Sequence, residues 1–294
     1  MRETLANYIS DRQEAFNTEI VIQIEALNIP DRLKQSMLYS IEAGGKRLRP
    51  ILMMASVEAY GGSYQDVLPI AVALEMVHTY SLIHDDLPAM DDDNYRRGQP
   101  TNHKKFDEAT AILAGDGLLT YSFELITNQT NITDKQKVFL VNQLAKAGGP
   151  RGMVAGQILD MQAEKKNVDL EKLEEIHTAK TGQLIKYAIV SGAFMKNVSK
   201  EQMAALNLFA YYLGLIFQVQ DDILDVTGDP SLLGKPVGSD ESNDKSTYPK
   251  LLGLNGAIAQ KEFYVEQAKN SLKEAGVKET ILEQLTDYLS DRKY

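Results

Sequence analysis

The sequence predicts an all-α protein built as one domain spanning 1–294. Three observations carry that expectation. Apolar residues recur at helical spacing along almost the whole chain. Two long segments, 67–83 and 203–226, are apolar nearly all the way round, which marks buried helices, and both are longer than strands. No alternating apolar–polar run and no hairpin signal interrupts them. The pattern resolves into about ten helices.

The elements follow from their boundaries. Breaks fall at Pro30, Gly44-Gly45, Gly61-Gly62, Pro88, Pro100, Gly148-Gly149-Pro150 and Pro230. Helix starts are marked by the capping-box pairs Thr133/Gln136 and Ser199/Gln202, and by Asp169 ahead of a helical run over 170–191. Segment 228–248, rich in Gly, Ser, Asp and Lys, reads as the most flexible stretch. No linker, low-complexity tract or long-period repeat divides the chain.

Composition narrows the function classes. A hydrophobic share of 44% excludes general disorder. No run approaches the ~18 consecutive apolar residues of a membrane span, and the N-terminus has no apolar leader, so the expectation is a cytoplasmic protein without a membrane span. The absence of Cys excludes disulfides, thiolate metal sites and a Cys nucleophile. A net charge of -10 disfavours nucleic acid as a partner.

Two acidic clusters stand out, each at an apolar helix. In HDDLPAMDDD (84–93), five carboxylates follow the first buried helix. Charge runs are usually solvated faces, but acids sit badly at a helix C-terminus, where the macrodipole is negative. That mismatch favours a bound cation, and an all-oxygen donor set suits Mg²⁺ or Mn²⁺. On a straight helix, Asp85 and Asp91 would lie ~120° apart. Pro88 breaks the ladder and allows the chain to bring Asp91 back toward Asp85. In QVQDDILD (218–225), Asp221, Asp222 and Asp225 are expected to project to one side of the second buried helix. A lone DDxxD occurs by chance on surface helices. Two such motifs are stronger, and they suit a highly charged diphosphate held through Mg²⁺ across a shared cavity.

The basic groups complement them. GGKRLRP (44–50) places three cations after a Gly pair, a context suited to an anion. Arg96-Arg97-Gly98 follows the first acidic cluster; these arginines either bind an anion or pair with the carboxylates. Lys180, Lys235 and Lys245 are further candidates, though a single Lys is more often a solvated surface charge. His78, alone on an apolar helix, is by default a satisfied core residue, with an anion contact as the alternative; Gln218 shares that ambiguity.

Together these motifs resemble the trans-isoprenyl diphosphate synthases. The match spans nearly the whole chain, in order: GGKRLRP (44–50), HTYSLIHDDLPAMDDDNYRRGQPT (78–101), GQILD (156–160), HTAKTGQLI (177–185), FQVQDDILDVTGD (217–229), LGKPVGSD (233–240) and DKSTYPKLLG (244–253). Asn94 and Gln99 stand where many members carry Asp and Lys. The resemblance implies antiparallel helices around a deep apolar cavity, a homodimer, small-molecule diphosphate substrates and Mg²⁺. By it, Asp85, Asp86, Asp91, Asp221, Asp222 and Asp225 hold Mg²⁺ on the allylic diphosphate, aided by Arg96, Lys180 and Lys235. Lys46, Arg49, His78 and Arg97 hold isopentenyl diphosphate. Thr181 and Gln218 lie beside the reacting carbons, and Lys245 lies near the substrate diphosphate.

Within the family, the resemblance is to the bacterial synthases that make farnesyl diphosphate. A longer-chain C20 synthase is the nearer alternative, and a non-catalytic subunit the alternative of another class. Product length turns on the helix carrying Asp85. Ser81 lies on the same face ~6 Å below Asp85, and Tyr80 ~7.5 Å below and turned aside. In members that stop at C15 an aromatic residue stands here, so Tyr80 is expected to be the cavity floor, with the small Ser81 beside it.

Overall fold

Segments 67–83 and 203–226 have no polar face wide enough for a surface position, so each must be enclosed by other helices. The computed structural model describes residues 4–164, 166–228 and 246–292, and these are helical almost throughout. The chain divides into two compact units, Met1–Met54 with Ser63–Asn142, and Ala55–Gly62 with Gln143–Tyr294.

In the first unit, α1 (Leu5–Glu25) and α2 (Asp31–Glu42) pack on one another, and α4 (Leu68–Asp85) packs against both and against α6 (Glu108–Thr127). Helix α3 (Leu48–Ala59) lies between α2 and α4 in the chain. Helix α4 starts with Pro in its first turn, where the missing N–H has no intrahelical partner to lose, and it buries residues on every side from Ile70 to Ile83. Between α4 and α6 lie the short α5 (Asn102–Lys105) and a feature absent from the sequence expectation. Strands β1 (Tyr95–Arg96) and β2 (Gln99–Pro100) form a small antiparallel hairpin, with Tyr95 opposite Pro100 and Arg96 opposite Gln99. Two-residue strands are too short to show alternation. The turn residues Arg97 and Gly98 both have positive φ, 53° and 77°, as a type I′ turn requires.

Helix α7 (Asp134–Gly148) begins at the Thr133/Gln136 capping box. In the second unit, α8 (Met153–Ala163) precedes α9 (Leu170–His177), which Asp169 caps. The expected run over 170–191 is not one regular helix. Residues Thr178–Gly182 form a π-turn before α10 (Gln183–Phe194). Glycines on two neighbouring helices admit this bulge. A Cβ at Gly156 of α8 would fall 2.1 Å from the Lys180 nitrogen, and one at Gly214 would fall 3.0 Å from the Gly182 Cα.

Helix α11 (Lys200–Thr227) starts at the Ser199/Gln202 capping box and packs against α10, α12 (Tyr248–Glu274) and α13 (Ile281–Asp291). Gly253, at φ 71°, kinks α12. By length and composition α11 is apolar enough to cross a membrane, with a mean hydropathy of 1.3 over 18 residues. Half of that window is buried inside the protein, and Leu206, Phe209, Leu213 and Ile216 are fully buried, which makes it a core helix. The expectation of flexibility over 228–248 falls largely outside the described residues.

Candidate active site

In the first unit, the end of α4 carries the first aspartate motif. Asp85 is the last helical residue and Asp86 its cap. Beyond Pro88 the chain doubles back, and the Asp91 N–H donates to the Asp85 carbonyl at 2.9 Å. The expected return of Asp91 toward Asp85 therefore takes place. Asp86 is buried and receives two hydrogen bonds from Arg96 Nε, at 2.8 and 3.0 Å. Burial pushes the Asp86 carboxyl up from the usual carboxylate range; Arg96 opposes that shift, and Asp93 and Asp91 add to it. Of the two readings for Arg96, pairing with a carboxylate is the one observed.

Arg97, at the tip of the hairpin, turns to the glycine pair instead. Its guanidinium donates to the Gly44 carbonyl and lies so close that a Cβ at Gly45 would fall 2.7 Å from it. Gly44 and Gly45 have φ of 84° and 124°, so the backbone shape favours glycine at both, and at Gly45 the Arg97 guanidinium also occupies the side-chain space. Arg49 Nη1 donates to His78 Nε2 at 3.2 Å. Since a guanidinium only donates, His78 Nε2 is an acceptor and the ring is neutral. Burial, then Arg49, Arg97, Arg96 and Arg47, hold the His78 pKa well below its ordinary value. Sequence-distant GGKRLRP and RRG thus meet, Arg97 lying on Gly44 and Gly45 and Arg49 on His78.

Lys46 is exposed, and its carbonyl accepts from Gln13 Nε2 at 2.8 Å. Arg47 has a different task. It is 4% exposed and bonds Glu75 at 3.1 Å, the Asn17 side chain at 2.9 Å and the Ile41 carbonyl at 2.6 Å. Glu75 was a legible signal, being a lone carboxylate inside an apolar helix. Tyr80 is buried on α4, and Ser81 donates to the His78 carbonyl at 2.8 Å.

In the second unit, α11 carries Asp221, Asp222 and Asp225, the last two buried. The expected single stripe divides. Successive helical residues are rotated by ~100°. Asp222 Oδ2 accordingly accepts the Tyr248 N–H at the start of α12, at 2.9 Å, while Asp221 accepts from Arg292 Nη2 at 2.6 Å. Arg292 also donates to the Phe217 carbonyl at 2.9 Å and covers the Phe217 ring. Gln218 is half-buried one turn before Asp222. Lys180 and Thr181 sit in the π-turn, and Lys180 Nζ bonds Asp160 of α8 at 2.6 Å. Asp160, Glu75 and Arg292 are the partners that sequence reasoning passed over. Lys235, Lys245 and the LGKPVGSD motif lie outside the described residues.

Among the described residues no three His, Asp or Glu side chains converge closely enough to hold an ion unaided. Asp86 of the first motif and both Asp221 and Asp222 of the second are engaged by protein donors. An all-carboxylate set of this kind fits Mg²⁺, which keeps several waters and takes one or two carboxylates together with substrate phosphates. Asp91, exposed and drawn back to Asp85, is a donor of that kind.

The chain matches the polyprenyl synthetase family over residues 30–285. It is 47% identical over 294 residues to the farnesyl diphosphate synthase of Bacillus subtilis, covering 99% of each chain. It is 43% identical over 290 residues to the geranylgeranyl diphosphate synthase of Cyanophora paradoxa, covering 98% of this chain and 96% of that one. A solved structure from Marinomonas sp. MED121 superposes with a TM-score of 0.84 at 41% identity, over 98% of this chain and 100% of the other. The helical fold, the two aspartate motifs and the paired glycine-flanked arginines thus agree with an end-to-end likeness in sequence and structure, and the chain belongs to the polyprenyl synthetase family.

Proposed function

We propose that the protein condenses isopentenyl diphosphate with an allylic diphosphate, first dimethylallyl and then geranyl, to give farnesyl diphosphate. The observation that carries the reading is that Arg49 on neutral His78, and Arg97 on the Gly44-Gly45 pair, lie in the same unit as the returning Asp85–Asp91 turn and the Asp86–Arg96 pair. A binder of one diphosphate needs a single anion site. In this reading the acidic motif acts with Mg²⁺ and the basic groups without it, which supports two diphosphate substrates.

In this reading Lys46, Arg49, His78 and Arg97 hold isopentenyl diphosphate. His78 contributes a neutral ring whose Nδ1–H is available to an oxygen anion. Asp85, Asp86 and Asp91 in the first unit, and Asp221, Asp222 and Asp225 in the second, engage the allylic diphosphate with Mg²⁺, which supplies charge neutralisation of the departing group. Arg96, Lys180, Lys235 and Lys245 add positive charge for it, with Asp160 orienting Lys180. The allylic C–O bond breaks and its electron pair leaves with diphosphate. The double bond of isopentenyl diphosphate then attacks the allyl cation beside Thr181 and Gln218. Loss of a proton to the released diphosphate completes the step, so no side-chain nucleophile is required. Apolar side chains around the reacting carbons would keep water from the cation.

The family match over residues 30–285 runs through both units, which supports reading 1–294 as one synthase domain, acting as a cytoplasmic homodimer. Chromatography of the products from labelled isopentenyl diphosphate and geranyl diphosphate tests the proposal: a C15 product from the purified chain supports it. No turnover by the chain alone would instead indicate a non-catalytic subunit. The likeness to a geranylgeranyl diphosphate synthase makes C20 the second reading; a C20 product under substrate limitation would establish it.

A further inference from the structure

On α4, Tyr80 and His84 are four residues apart, and their rings meet edge to face, with centroids 5.6 Å apart and planes at 82°. This contact is set from outside the helix. His84 Nε2 lies 3.1 Å from the Ile112 carbonyl on α6. A carbonyl only accepts, so the proton is on Nε2 and the ring cannot flip without losing the bond. Asp116 Oδ1 stands 3.9 Å from the same nitrogen. Beneath the ring is Gly115, where a Cβ would fall 2.2 Å from His84 Nε2 and 2.6 Å from Cδ2. The helix α6 thus holds a seat for this imidazole, shaped by a missing side chain and closed by a directed hydrogen bond. The edge of the seated ring in turn backs Tyr80, itself 8% exposed.

We propose that His84, seated by Gly115 and the Ile112 carbonyl, is a positioning residue for product length. It holds the Tyr80 ring in place as the end of the chain-elongation cavity. The inference rests on reading Tyr80 as that floor. It assigns a task to a histidine that neither the diphosphate sites nor the metal donors employ. An aromatic ring on a helix has few rotamers, and in the absence of a lateral neighbour the Tyr80 ring gains a second one. A floor that swings aside for part of the time allows a further condensation.

The test compares product lengths for His84→Ala, His84→Phe, Gly115→Ala and Tyr80→Ala, with excess isopentenyl diphosphate. For His84→Ala we expect a roughly fivefold rise in the share of products beyond C15, which corresponds to about 1 kcal/mol of discrimination. The rate of the first condensation stays within about threefold of the parent, because no diphosphate contact is lost. Gly115→Ala, which fills the seat, shifts the products the same way. His84→Phe restores an aromatic edge and returns the C15 product. Adding His84→Ala to Tyr80→Ala changes nothing further, since the floor is already gone. Circular dichroism accompanies each variant, and Gly115→Ala carries the test if His84→Ala does not fold. If Tyr80→Ala lengthens products while His84→Ala and Gly115→Ala do not, the His84 inference is overturned and the Tyr80 reading stands. If Tyr80→Ala itself still stops at C15, both fall.

Discussion

The two aspartate motifs solve one electrostatic problem in different ways. The first sits where a helix ends. Pro88 stops the ladder, the chain folds back, and the buried carboxylate Asp86 is compensated by Arg96 only ten residues further on. The second sits inside a continuous helix whose backbone has no freedom to rearrange. Its carboxylates are compensated by groups far along the chain, the Tyr248 N–H 26 residues away and Arg292 71 residues away. The first is a local device carried by a turn and a hairpin, whereas the second exists only once α12 and α13 have docked on α11. Each leaves a different partner in water. At the first site the carboxylate Asp86 is 4% exposed and Arg96 32%; at the second Asp221 is 45% exposed and Arg292 5%.

The strongest way to break this comparison is to remove one carboxylate from each motif. Asp85→Ala and Asp221→Ala should each reduce turnover by roughly 10²–10³-fold, the usual loss when stabilisation of a developing charge is removed, while the helical circular dichroism persists. Near-parental kcat in either variant, with Mg²⁺ still required, would show that motif to be dispensable.

A sharper contrast comes from the cations. Arg96→Ala strands a buried carboxylate and should destabilise the fold by about 3 kcal/mol. Arg292→Ala leaves Asp221 largely hydrated, so its effect should be nearer 1 kcal/mol. Urea denaturation midpoints of the two variants measure the difference, and equal midpoints would contradict the assigned exposures.

The smallest effect concerns His78. Burial and the surrounding arginines lower the His78 pKa in the folded state, so the folded protein binds that proton less readily than the unfolded chain. The stabilisation is present above the unfolded value of about 6.5 and is lost as pH falls through the lower folded value. Thermal melts from pH 7.5 downward should therefore drop more steeply for the parent than for His78→Gln. Identical slopes would mean that His78 titrates normally.

Much of this architecture is legible from the sequence because it depends on neighbours in the chain. The helices over 67–83 and 203–226 follow from apolar side chains on every face, and the caps at Ser199, Thr133 and Asp169 from hydroxyl or carboxylate groups that reach the first free N–H groups. The return of Asp91 to Asp85 follows from Pro88, which removes a donor from the helix ladder. The short hairpin escaped because only the Arg97-Gly98 turn, and no alternation, records it. The π-turn escaped because the spacing of residues 170–191 is that of an ordinary helix; its cause lies on other helices, in Gly156 and Gly214.

Chain-local chemistry sets the inventory: which side chains are charged, which helices must be buried, and where the backbone must turn. The pairing comes from how the helices pack. Arg96 and Arg97 are adjacent and chemically alike, yet one compensates Asp86 and the other lies on Gly44 and Gly45. Arg47 and Arg49 are two apart, yet one is spent on buried Glu75 and the other faces His78. The physical reason is that a charge of long reach has many partners open to it in the unfolded chain. Burial selects among them, because in a low-dielectric interior an unmatched charge is far more costly than in water.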